Sequence, residues 1–127
     1  MMMTTRCAFA LATTMMFVAS STSFATDSVS PEIAAEAKTL YDARCALCHG
    51  AGGKGDGVAA AGLSPQPRDL TSAEWQSSVT DEYVETIIKF GGSAVGKSAV
   101  MPPNPDLQAK DDVVKALRAL VRSFGGH

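Results

Sequence analysis

The sequence predicts an all-α domain of three main helices joined by long loops. Two observations predict it. Apolar residues recur at helical spacing in three separate stretches, each opened by a capping or acidic residue. Between them the chain is rich in glycine and proline and shows no convincing alternation of apolar and polar residues, so no strand is expected.

The first element precedes the domain. In MMMTTRCAFALATTMMFVASSTSFA, Arg6 stands before an apolar stretch at residues 8–19, and small residues follow, ending in Ser23-Phe24-Ala25. This is the layout of a secretory signal peptide over residues 1–25 with a small-x-small cleavage site, and it predicts export to the periplasm. The apolar stretch is shorter than the roughly 20 residues a membrane span needs and contains threonines. Cleavage is therefore expected over retention as an anchor, with no stable membrane insertion afterwards. Cys7 lies early in the segment, which argues against its use for lipid attachment.

Residues 26–127 then form one small domain. Ser30-Pro31-Glu32 reads as a helix start: a hydroxyl at the cap, proline at the first helical position and an acid in the first turn. Ile33, Ala34, Ala37, Leu40 and Tyr41 follow at helical spacing, and this helix is expected to run into Cys45 and Cys48. From HGAGGKGDG to LSPQPRDLT a long wrapped loop is expected, with one short helical turn near residues 58–63. Thr80 opens the second helix, Asp81 and Glu82 suit its N-terminal dipole, Val84, Ile87 and Ile88 form its apolar face, and Gly91 stops it. The third helix covers about residues 110–124, with Val113, Ala116, Leu117, Leu120, Val121 and Phe124 on one stripe. Asp111 and Asp112 near its start and Arg118 and Arg122 near its end match the helix dipole.

Composition narrows the function. After cleavage 10 basic and 13 acidic side chains remain, which gives no footing for nucleic acid, a partner that requires a basic patch. A domain this small buries only about 60–65% of its unfolded surface, so an additional source of stability is expected. Cleavage also leaves two cysteines, Cys45 and Cys48, one methionine, Met101, and two histidines, His49 and His127. Any group held by soft or imidazole ligands draws on that short inventory. Met101 stands beside Pro102, Pro103 and Pro105, which stiffen the backbone and can hold it in a fixed position; filling a gap in the core is the other reading.

By residue type, the stretch CALCHG suits structural zinc, a redox disulfide or haem attachment. Zinc needs four protein ligands; Cys45, Cys48 and His49 supply three, and only His127 or a carboxylate remains for the fourth. A redox C-x-x-C opens a helix after a strand, whereas this one closes a helix and has no βαβ surroundings. Residues 91–98, GGSAVGKS, formally match the phosphate-loop pattern, but they follow a helix and run into AVMPPNP, where no helix can start, so the match is by chance. The spacing C-x-x-C-H is that of c-type haem attachment: Cys45 and Cys48 lie on neighbouring helical turns, able to form thioethers to two vinyl groups, and His49 follows within reach of the iron.

In the order CALCHGAGGKGDG, LSPQPRDLT, MPPNP and a terminal amphipathic helix, the chain resembles the class I c-type cytochromes, the small monohaem bacterial kind, over residues 30–124. The resemblance implies a cytochrome c-like fold with long loops wrapped around one covalent haem c. It implies that Cys45 and Cys48 bind the haem covalently, that His49 is the proximal iron ligand and that Met101 is the distal one. A proline carbonyl, of Pro65 or Pro67, is expected to bond the second histidine nitrogen, and Arg68 and Trp75 are candidate partners of the haem propionates. Ala37 and Tyr41 are expected to pack on the terminal helix through Leu117 and Leu120. The aromatic that the family often has near Leu120 is missing, so that contact is expected to pack differently.

The implied function is that of an electron carrier and not an enzyme: one-electron exchange between a redox donor and an acceptor, by a soluble periplasmic protein. The alternative is a dedicated cytochrome subunit of an exported oxidoreductase complex, which stable purification as a soluble monomer would count against. A third class is a ligand-binding haem sensor or enzyme in which Met101 is not an iron ligand or is displaced.

Overall fold

The computed structural model describes residues 29–126; the stretch 1–25 expected to be a signal peptide, residues 26–28 and His127 lie outside the described residues. Among these residues the fold is helical without strands. Helix α1 spans Pro31–Leu40, continues without interruption through a π turn at Tyr41–Cys45, and ends in the short α2 at Ala46–His49. Helices α3 (Ala73–Ser78), α4 (Asp81–Phe90) and α5 (Asp111–Ser123) follow, with short 3₁₀ turns at Ala60–Gly62, Gly92–Val95 and Pro105–Leu107.

The three expected helices form where the pattern places them, and the caps of the first two show why. The Ser30 hydroxyl accepts from the Ile33 amide, and Thr80 caps α4 by accepting from Tyr83. The 3₁₀ turn at Ala60–Gly62 falls in the stretch where a short helical turn is expected. Helix α3 was not foreseen. Its signal is Ser72, whose hydroxyl accepts from the Trp75 amide, followed by Glu74 in the first turn; six residues are too few to show a helical period.

Helix α1 packs chiefly on α5, and α5 also packs on α4. The shared core contains Ala37 from α1, Tyr41 from the π turn, Val84 and Ile88 from α4, and Val113, Val114, Ala116, Leu117 and Val121 from α5, with Leu70 and Leu107 brought in by the loops. Leu120 and Phe124 complete the expected α5 stripe as half-buried residues. Ala34, by contrast, is exposed. The absent aromatic near Leu120 is replaced one turn later: the Phe124 ring lies 5.2 Å from that of Tyr41, tilted by 47°. Aromatic pairs favour such tilted geometry.

A second clasp is polar. Gln76 of α3 is buried and donates to the carbonyls of Leu70 and Val121, at 2.8 and 2.9 Å. The Arg122 guanidinium donates to the Gln76 carbonyl and side-chain oxygens, to the Val79 carbonyl and to Asp81. Arg118 also pairs with Asp81. One fork of donors thereby fixes α3, the start of α4 and the end of α5 against one another.

Candidate functional site

The cysteine segment is built by an irregularity of the first helix. In the π turn at Tyr41–Cys45 the Ala46 amide donates to the Tyr41 carbonyl, five residues back, so the turn is wider than in an α-helix. Such turns add a residue and rotate everything after them about the helix axis. Cys45 ends this turn, and Cys48 and His49 occupy the last positions of α2. Both cysteines are unpaired thiols of intermediate exposure. Burial pushes the Cys45 thiol up to about 11, with Arg44 opposing the shift, so it is not the low-pKa thiolate that thiol exchange requires.

The glycine-rich loop folds back onto α2. The amides of Gly55, Gly57 and Ala59 donate to the carbonyls of His49, Cys48 and Leu47, at 2.8, 3.1 and 2.8 Å. These carbonyls end a helix and have no partner within it, so the loop satisfies them in turn. The approach is so close that a Cβ on residue 57 would collide with the Leu47 and Ala46 carbonyl oxygens. The Tyr41 hydroxyl adds a buried bond of 2.8 Å to the Gly50 carbonyl, so the first helix and the loop share one anchor.

His49 Nδ1 lies 3.0 Å from the Arg68 carbonyl. A carbonyl only accepts, so Nδ1 carries the proton and Nε2 keeps its lone pair. Burial lowers the histidine's pKa, against the opposing effect of the Arg68 bond, and so favours the neutral ring that a metal ligand must be. The partner is therefore neither Pro65 nor Pro67. The Pro67 carbonyl faces Gly55 instead, where a Cβ would lie 2.6 Å from it, and the chain turns the next carbonyl toward the ring. Arg68 thus contributes its backbone here, and its side chain is exposed. Trp75 is half-buried against the core.

Met101 lies half-buried in the loop between α4 and α5. Three hydrogen bonds fasten this loop to the end of α4: Gly92 N–H to the Met101 carbonyl at 3.0 Å, Asn104 N–H to the Lys89 carbonyl at 3.0 Å, and Asn104 Nδ2 to the Ile88 carbonyl at 2.8 Å. Gly91 ends α4 at φ +79°, and a Cβ there would stand 2.8 Å from both the Met101 oxygen and the Pro103 nitrogen. The same eight residues that mimic a phosphate loop follow helix α4 and form a 3₁₀ turn at Gly92–Val95, so they lack the strand and the helix that would cradle a phosphate.

The donor set fits a haem iron better than the other uses of CALCHG. Among the described residues no group of three or more His, Cys, Asp or Glu side chains converges to hold a metal ion directly, as zinc would require. Among the described residues the exposed large apolar side chains are Leu47, Val58, Phe90 and Val100. Leu47 lies between the cysteines, Val58 in the loop bonded back onto α2, Phe90 at the end of α4 where the Met101 loop is fastened, and Val100 beside Met101. Apolar surface uncovered beside the cysteine segment and beside Met101 suits contact with an apolar group.

Comparison with known proteins agrees with this geometry. Residues 34–124 match the cytochrome c family. The chain is 34% identical over 83 residues to cytochrome c-555 of Prosthecochloris aestuarii, an alignment covering 60% of this chain and 74% of that one. A solved structure, the KustC0563 c-type cytochrome, superposes with a TM-score of 0.54 at 31% identity, covering 69% of this chain and 95% of that one. Cytochromes c bind one haem c covalently through a C-x-x-C-H motif and use it to transfer electrons, and Cys45, Cys48 and His49 stand in that motif. By its sequence match and its fold, the chain belongs to the cytochrome c family, carries one covalent haem c and serves haem-based electron transfer.

Proposed function

We propose that this protein is a soluble periplasmic electron carrier in which Cys45 and Cys48 form the thioethers and His49 and Met101 are the axial ligands of the iron. The observation that carries the reading is the His49 ring, held by the Arg68 carbonyl with Nε2 left as the free nitrogen, one residue beyond the cysteine pair. When bound, the haem supplies one-electron exchange between Fe(III) and Fe(II). The chain's part is to keep the ligand geometry constant. The Arg68 bond fixes the tautomer and rotation of His49, as outer partners of metal-bound imidazoles do. The bonds from Gly92 and Asn104 fix the backbone on both sides of the Met101 turn. A histidine–methionine pair raises the potential relative to harder ligands. With both axial positions supplied by the chain, small molecules find no open site, which favours transfer over catalysis on a bound substrate.

The layout of residues 1–25 supports export, and among the described residues no helix is long and apolar enough to cross a membrane. Replacing Met101 with alanine tests the ligand assignment. The ferrous variant is expected to bind carbon monoxide readily where the parent does not; an unchanged response would remove Met101 from the iron.

A further inference from the structure

The two halves of the proposed ligation system lie far apart in sequence, and one side chain joins them. Arg44 immediately precedes Cys45. Its Nη1 and Nη2 donate to the two carboxylate oxygens of Asp106 at 2.9 and 3.0 Å, and Nη1 also reaches Asn104 Oδ1 at 3.3 Å. This is the two-pronged arginine–carboxylate geometry, which fixes orientation as well as distance. Asn104 is itself the residue that ties the Met101 loop to α4 through its amide and its side chain. Arg44 therefore grips the far end of the MPPNP segment at two points, from a position one bond away from a haem-attaching cysteine.

From this we infer that Arg44, with Asp106 and Asn104, is a positioning latch: it locks the Met101 loop onto the cysteine-bearing helix and so slows release of Met101 from the iron. The inference rests on the axial assignment proposed above. Its physical basis is a division of labour along the loop. Gly92 holds the Met101 carbonyl to α4, and Asn104 holds the other end of the proline turn to α4, but neither contact refers the loop to the helix that carries His49. The Arg44 contacts supply that reference. The 3₁₀ turn at Pro105–Leu107 carries Asp106 and buries Leu107 in the core, so the acceptor stands on a fixed platform. Because the pair is about half-exposed on both sides, its effect on global stability is expected to be small. Its effect on a local opening that swings only this loop is larger in proportion.

The test is the rate at which cyanide binds the ferric holoprotein, a reaction gated by departure of the distal ligand, together with a urea unfolding curve for each variant. Arg44→Gln and Asp106→Asn are each expected to raise the rate about fivefold, the range open to a good exposed pair, while the unfolding midpoint hardly moves. The double variant should be no faster than Arg44→Gln alone, and the charge swap Arg44→Asp with Asp106→Arg should recover part of the slow rate. Parent-like rates in both single variants would overturn the latch, and so would fully additive effects. Met101→Ala is the control for the underlying assignment: if the parent already binds cyanide as fast as that variant, the axial reading fails, and the latch with it.

Discussion

Substituting Gly91 with alanine would strain the junction that sets Met101 against α4. Residue 91 has φ +79° and ψ 176°, a backbone conformation that is essentially restricted to glycine and costs a residue with a Cβ on the order of 1–3 kcal/mol. Space adds to the strain. The new Cβ would stand 2.8 Å from the Met101 oxygen and from the Pro103 nitrogen. Both are backbone atoms of a proline-stiffened segment, so no side chain can rotate away and the loop itself must shift. That shift pulls on the hydrogen bond from Gly92 to Met101, a contact worth about 1 kcal/mol. Together these put the loss of stability at about 2–4 kcal/mol. Urea unfolding of the holoprotein measures it, and carbon monoxide binding to the ferrous form reports whether the methionine has been displaced. A variant within about 0.5 kcal/mol of the parent, with no gain in carbon monoxide binding, would refute the argument that Gly91 is the abutment of the Met101 loop.

Other substitutions probe the remaining joints. Gln76→Leu deletes two buried donated bonds and one acceptor of Arg122, and a loss of about 2–4 kcal/mol in denaturant unfolding is expected. Tyr41→Phe removes only the bond to the Gly50 carbonyl, which still accepts from Gly53, so about 1 kcal/mol should be lost with the haem spectrum unchanged. The Asp81 carboxyl titrates below its ordinary value of 3.8, because the Arg122 and Arg118 contacts together outweigh the raising effect of burial. Its contribution is thus present above that value and lost as pH falls through the lower folded-state value, so the stability gap between the parent and Asp81→Asn should close on acidification through that range. Replacing Cys45 and Cys48 together with alanine should leave haem extractable by acidified solvent, and haem that stays with the denatured chain would contradict attachment at these residues.

The parts of this molecule legible in the sequence are those governed by short-range rules. The caps at Ser30 and Thr80 and the apolar stripe of α5 follow from residue type and period, and they reappear in the structure with their hydrogen bonds. The π turn is different. Nothing in YDARC distinguishes it from α-helix, because the register is set by how Tyr41 docks against Gly50 and Phe124. The same limit explains the histidine partner. A proline carbonyl was expected at residue 65 or 67, yet the carbonyl that meets Nδ1 is the one left after Pro67 has been turned against Gly55, a choice made by loop packing. Arg44 gave no signal either, since its meaning depends on Asp106, 62 residues away. The residue types of the proposed ligands were visible in the sequence; what aims and fastens them is tertiary.

The account stands on His49 and Met101 acting on one iron. The measurement closest to that claim is the far-red absorption of the ferric holoprotein, where a weak band reports a methionine sulfur bound to ferric haem iron. The account predicts the band in the parent, its loss in Met101→Ala, and its retention in Tyr41→Phe. A parent protein with covalent haem but no such band, or a band that survives in Met101→Ala, would contradict it.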